Sequence, residues 1–236
     1  MSRAEVLFAH ELAVVGRAVK SVLECHGFGV RWVQRASEVR EALQSEDFQA
    51  LVLDVALPDE LGYALIEVAR EAGVECVILV AAVHRKTSYK RRPTRLYGAD
   101  DYVEIHHLGD HLPLRLKQRL GLLGEGEGEG TDPGAEDDGD AEGPGIPVRV
   151  AELGDERLGQ VSESRLAELL VADLLLYNGD AFGLHDEEGV RRRLDAQISE
   201  LESLFDQLRP GGSGPELIAA ALHQLMARPA LGTSAN

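Results

Sequence analysis

The chain has 236 residues, 44% hydrophobic and 5% aromatic, with a formal charge of −17. That length holds one large domain or two small ones, and no apolar run approaches the roughly 18 to 20 residues that span a bilayer. Nucleic acid is a poor partner, because phosphate binding needs clustered cations and the C-terminal part is acidic. The opening "MSRAEVLFAHE" lacks the long apolar stretch of a signal peptide, so the expected location is the cytoplasm. Cys25 and Cys76 lie in apolar surroundings and read as reduced core residues, since two cysteines without close spacing specify neither a disulfide nor a metal pair.

Five short apolar runs read as strands: "EVLFA" (5–9), "GVRWV" (29–33), "ALVLD" (50–54), "CVILVAA" (76–82) and "DYVEI" (101–105). Amphipathic segments lie between them, with apolar residues three and four apart, as in Val39 and Leu43 or Leu61, Leu65 and Val68. A further one, "GDHLPLRLKQRLG", follows the last strand. This alternation predicts an α/β fold, a doubly wound parallel sheet with helices on both faces. A central strand of such a sheet is apolar on both sides, which accounts for "ALVL". Ligand sites in these sheets lie at the carboxyl ends of the strands, where Asp54 stands.

Residues 124–147 carry nine acids and no base. This Gly-rich stretch buries too little apolar area to offset chain entropy, and a disordered, self-repelling linker is expected. It separates residues 1–123, with 16 bases against 17 acids, from residues 148–236, with 8 against 15.

The strand-ending Asp followed by Pro58 and Gly62 in "LVLDVALPDELG", the first strand "EVLFAHE", and "YGADDYVEI" before the fifth strand resemble the receiver domain of response regulators. The resemblance covers about residues 4–122. It implies strand order 2-1-3-4-5, with Asp54 at the phosphoacceptor position. In that chemistry a carboxylate attacks a phosphoryl group while neighbouring acids hold Mg²⁺. A hydroxyl after strand four and a lysine after strand five then read the adduct.

This chain departs from that pattern. His10 and Glu11 stand where the family has two acids. Glu11 suits a hard cation alongside Asp54 and a carbonyl near Ala56, whereas His10 replaces an acid poorly. Ala81 takes the place of the hydroxyl, Ile105 that of the lysine, and His106 that of the following proline. The expected result is a degenerate receiver that needs no cofactor, with Mg²⁺ as the optional ion. Asp54 is then either a phosphoacceptor served slowly or by one dedicated kinase, or an inherited, solvated carboxylate. A transition-metal site built from His10, His106, His107, Glu11 and Asp54 is the alternative to plain exposed loop histidines.

The segment "HRKTSYKRRPTRLYG" (84–98) carries Arg85, Lys86, Lys90, Arg91, Arg92 and Arg95. Pro93 suits a helix start and not a helix interior, so a short fourth helix after a long loop is expected there. The six cations read as a solvated loop or as a dock for an acidic partner, residues 125–142 included. Beyond the linker, residues 162–177 are apolar around most of a helix and need burial on more than one side. Leu194, Ile198, Leu201, Phe205 and Leu208 form a short heptad seam, and a third helix is expected over 215–226. Such a small helical region is marginal alone, so docking or self-association, as a homodimer, is expected.

The reading is a bacterial signalling adaptor that works through protein partners, not catalysis. Neither its kinase nor its signalling partner is named by the sequence. The alternatives are a phosphorelay regulator modified at Asp54 and a transcription regulator with an atypical output domain.

Overall fold

The computed structural model describes residues 3–81, 96–123, 161–178 and 187–227. The five expected strands form: β1 (Glu5–Ala9), β2 (Gly29–Val33), β3 (Ala50–Asp54), β4 (Cys76–Ala81) and β5 (Asp101–Glu104). All neighbours pair in parallel, in the order β2-β1-β3-β4-β5. The crossovers include α1 (Ala13–Cys25), α2 (Ala36–Ser45) and α3 (Leu65–Glu71), and α4 (His111–Arg119) follows β5. The short fourth helix expected near Pro93, the six cations of the basic segment and the acidic linker lie outside the described residues.

Alternation along each strand sends successive side chains to opposite faces. Val6, Phe8, Val52, Ile78 and Val80 join Val15, Val19 and Leu23 of α1 and Leu112 and Leu116 of α4 in one buried cluster. Leu7, Ala9, Leu51, Leu53, Val77, Leu79 and Ala81 face the other way, with Val39 of α2 and Leu65, Ile66 and Ala69 of α3.

That second cluster does not end with the nearby helices. It continues into α5 (Glu163–Tyr177), α6 (Glu187–Arg193), α7 (Asp195–Leu208) and α8 (Gly214–Ala227). Eight consecutive residues of α5, Leu169 to Leu176, are buried. A helix buried around its whole circumference must be enclosed from both sides. Here α7 and α8 pack on one flank, and residues from the ends of the sheet approach the other. The Tyr63 hydroxyl donates to the Ala172 carbonyl at 3.0 Å, and the Tyr97 hydroxyl to the Leu175 carbonyl at 3.0 Å. The Tyr177 hydroxyl reaches Glu104 at 3.5 Å. The seam residues Leu194, Ile198, Leu201 and Phe205 are likewise buried within the chain, with Leu208 partly buried against them. One helix does not carry that seam. It breaks at Leu194 into α6 and α7, and the Val190–Leu194 and Leu194–Ile198 backbone bonds are kept across the break.

Two local devices shape the loops around the carboxyl ends. A Cβ at Gly62 would lie 2.3 Å from the Asp54 carbonyl oxygen, so only glycine lets the chain return this close to β3. A 3₁₀ turn at Gly62–Ala64 therefore opens the segment expected as a longer helix, and α3 starts at Leu65. Asp59, in the same loop, accepts from the Ala36 and Ser37 amides at 2.8 and 3.1 Å. It thus satisfies the open N-terminus of α2 from outside that helix. Burial works against the Asp59 charge, but these bonds outweigh it and hold the carboxyl below its ordinary range.

Of the two cysteines, Cys76 is buried as expected, and burial followed by the nearby Asp100 charge pushes its thiol up to about 12. Cys25 corrects the expectation: it closes α1 on the helix's outer side and is exposed.

Candidate functional site

The carboxyl ends of β1 and β3 bring His10, Glu11 and Asp54 to one end of the sheet. Neither Asp54 nor His10 is solvated, contrary to the expectation from sequence; both are 0% exposed. Asp54 is one of four buried polar or charged residues among those described, and His10 is another. One Asp54 oxygen, Oδ1, accepts from the Ala56 amide at 3.0 Å. The other, Oδ2, faces His10 Nε2 at 3.6 Å. His10 Nδ1 accepts from the Leu12 amide at 3.2 Å, which puts the proton of a neutral ring on Nε2, towards Asp54. The His10 ring also stacks on Phe8, and its carbonyl accepts from Trp32 Nε1 at 3.0 Å. His10 is thus a packed, oriented partner of Asp54.

Glu11 has a partner that the sequence did not suggest. Arg165, in the first turn of α5, directs Nη2 at Glu11 Oε2 at 3.3 Å and donates from the same nitrogen to the Ala56 carbonyl. Its Nη1 donates to Glu168 at 2.8 Å, and its backbone amide donates to the capping Ser162 hydroxyl at 3.2 Å. Glu11 and Arg165 side chains are both largely buried, at 15% and 17% exposure. Charge-assisted bonds in such surroundings contribute about 1.5–3 kcal/mol each. Local spacing gave no signal for Arg165, because 154 residues separate it from Glu11.

The positions where the receiver resemblance puts a hydroxyl and a lysine are apolar in place as well as in identity. Ala81 ends β4 and is wholly buried in the cluster that includes α5. Ile105 follows β5 and is wholly buried in the opposite cluster. His106 sits in the middle of the 3₁₀ turn Ile105–His107, and its side chain lies outside what is described.

With Arg165 in place the donor set does not fit a divalent ion. Among the described residues, the donors that converge within 4.8 Å of one another are those of His107, Asp110 and His111, not those of His10, Glu11 and Asp54. A hard cation prefers oxygen ligands. Here one flanking position is a nitrogen ligand turned to Asp54, and a guanidinium bridges the two oxygens of Glu11 and Ala56. Among the described residues His10, Glu11, Asp54 and His107 do not converge, so they form no part of the transition-metal grouping weighed as the alternative to loop histidines. His107 turns instead to Asp110, at 3.2 Å, and its ring stacks on His111 at 4.0 Å. Partial burial disfavours the Asp110 charge, but the His107 bond and both imidazoles hold its carboxyl at about 2. The H-x-x-D-H spacing at 107–111 was the available sign of this cluster.

Tyr63 and Tyr97 join the pocket to α5. Their rings lie 4.8 Å apart at 53°. Tyr97 adopts a left-handed backbone (φ 54°) and Gly98 follows at 92°, a conformation that costs a side-chain-bearing residue about 1–2 kcal/mol. The turn holds the Tyr97 hydroxyl on the Leu175 carbonyl. Burial first, and the Asp173 charge next, push the Tyr63 phenol well above its ordinary value, so it remains a donor. Among the described residues no helix is long and apolar enough to cross a membrane.

Residues 6–106 match the family model described as the response regulator receiver domain. The chain is 30% identical over 98 residues to the transcriptional regulatory protein QseB of Escherichia coli O157:H7, covering 42% of this chain and 44% of that protein. It is 28% identical over 112 residues to the response regulator protein PmrA of Pseudomonas aeruginosa, covering 48% and 50%. The chain thus matches about half the length of these curated relatives. A crystal structure of a response regulator from Thermotoga maritima aligns with 51% of this chain and 99% of its own, at 25% identity and a TM-score of 0.42. Residues 6–106, with their five parallel strands and Asp54 at the end of β3, are a response regulator receiver domain.

Proposed function

We propose that this protein is a bacterial signalling adaptor whose receiver works by binding other proteins without a phosphoryl signal. The observation that carries this reading is the apolar burial of both Ala81 and Ile105, each 0% exposed. A phosphoryl group on Asp54 would meet neither a hydroxyl nor an ammonium at these two positions, so modification has no contacts there through which to change the shape of the domain. The protein acts in the cytoplasm, performs no catalysis and requires no cofactor. Its partners are signalling proteins, recognised through surface charge. The basic residues Arg85, Lys86, Lys90, Arg91, Arg92 and Arg95 supply positive charge for an acidic partner.

The test is incubation with a small-molecule phosphodonor and Mg²⁺, followed by intact-mass measurement. The protein is expected to gain nothing. A stoichiometric phosphoryl gain that disappears in Asp54→Asn would overturn the reading.

A second reading, a phosphorelay regulator modified at Asp54, has the retained Asp54 and Glu11 in its favour, together with relatives named as response regulators. The same mass measurement separates the two. A transcription regulator is the third, supported by relatives named as transcriptional regulatory proteins. Sequence-selective DNA binding by the full chain at physiological salt would favour it.

A further inference from the structure

We propose that Arg165 is the resident cation of the Asp54 pocket, and that a docked α5 and a divalent ion exclude one another there. This deepens the reading above by assigning the occupant of the same site.

One guanidinium nitrogen, Arg165 Nη2, contacts both the Glu11 carboxylate and the Ala56 carbonyl. Those two oxygens converge on a single point, as ligands of a hard cation do. The point is filled by a charge that belongs to the chain. Arg165 is also held from behind: Glu168 bonds Nη1, and Ser162 bonds the backbone amide. The charge is thus presented by an ordered first helical turn and not by a loose surface side chain.

The remainder of α5 fixes the geometry. Its later residues are anchored by Tyr63, Tyr97 and Tyr177, so the helix crosses from the loops after β1 and β3 to the end of β5. An ion at the Glu11–Ala56 position would overlap Nη2 and would have to expel it. Expulsion frees the first turn of α5, while the anchored remainder resists. By linkage, whatever releases Arg165 raises ion affinity, and an ion that binds weakens α5 docking by the same factor.

The experiment titrates Mn²⁺ into the full chain. Binding is followed by electron paramagnetic resonance and by quenching of Trp32, whose indole bonds the His10 carbonyl beside the pocket. Wild type is expected to bind Mn²⁺ weakly, and Arg165→Ala to bind about 5–150-fold more tightly. Arg165→Gln should behave likewise, and adding Glu11→Gln to Arg165→Ala should abolish the gain. A folded Arg165→Ala with wild-type Mn²⁺ affinity would overturn the proposal.

A measurement on the wild type does not depend on any variant folding. Amide exchange over residues 163–167 should accelerate at Mn²⁺ concentrations that occupy the site. Saturable Mn²⁺ quenching of Trp32 with unchanged exchange there would overturn the proposal too. Phosphorylation of the wild type would sink the adaptor reading and leave this exclusion standing. An affinity indifferent to Arg165 would do the reverse.

Discussion

The two faces of the sheet are covered by different kinds of helix. One is closed by α1 and α4, which flank the strands in sequence and bury Val15, Val19, Leu112 and Leu116 against Val6, Phe8 and Ile78. The other is closed by α2 and α3, and its apolar cluster is shared with α5, drawn from beyond the acidic segment. On the first face the domain is self-sufficient. On the second, the end that carries Asp54 is finished by the C-terminal part of the chain. That end of the sheet is already covered by the chain's own C-terminal helices.

The sharpest way to break this comparison is to hollow out α5. Leu170→Ala and Leu174→Ala each remove a wholly or almost wholly buried side chain and should cost about 2–5 kcal/mol. Leu114→Ala, on the 41% exposed outer side of α4, should stay within about 0.5 kcal/mol. Urea unfolding followed by Trp32 fluorescence measures both, and equal costs would mean that α5 does not share the sheet's core.

Removing one anchor has a smaller effect. Tyr63→Phe deletes the bond to the Ala172 carbonyl and should cost about 0.5–1.5 kcal/mol. Tyr97→Phe, only part-buried, should cost less.

The anchors also set the pH limits. The Tyr63 phenol is raised in the folded chain, so the folded state holds its proton more tightly than the unfolded state. Its contribution is complete below the ordinary tyrosine value and is lost as pH rises beyond it. Asp59 is lowered, so the tie between its loop and α2 is complete above the ordinary carboxylate value and is lost as pH falls below it. Thermal melts across pH should show stability declining at both ends, with the acid decline reduced in Asp59→Asn.

The mildest probe changes no stability. A thiol reagent at mildly alkaline pH should modify exposed Cys25 quickly and buried Cys76 only on unfolding.

Much of this was legible in the sequence, and the remainder was hidden for definite reasons. Apolar runs such as "ALVLD" and "CVILVAA" located every strand to within one residue, because a strand buried on both faces leaves a compositional mark. The strand-ending Asp54 followed by Gly62 placed the pocket, since Gly62 answers a steric demand of the Asp54 backbone. The apolar girth of 162–177 correctly required burial on more than one side, but not what would bury it. Arg165 left no trace, because a salt link between a loop after β1 and a helix 154 residues later has no local period. His10 and Asp54 looked solvated because a position at a strand end does not itself reveal that folding will bury it.

The claim at the centre is that α5 is a structural part of the receiver. Native-state hydrogen exchange on the full chain tests it most directly, by comparing the amides of Leu169–Leu176 with those of β4. The account predicts that both sets open with one free energy and lose protection together in Leu170→Ala. Rapid exchange throughout α5 beside a fully protected β4 would contradict it.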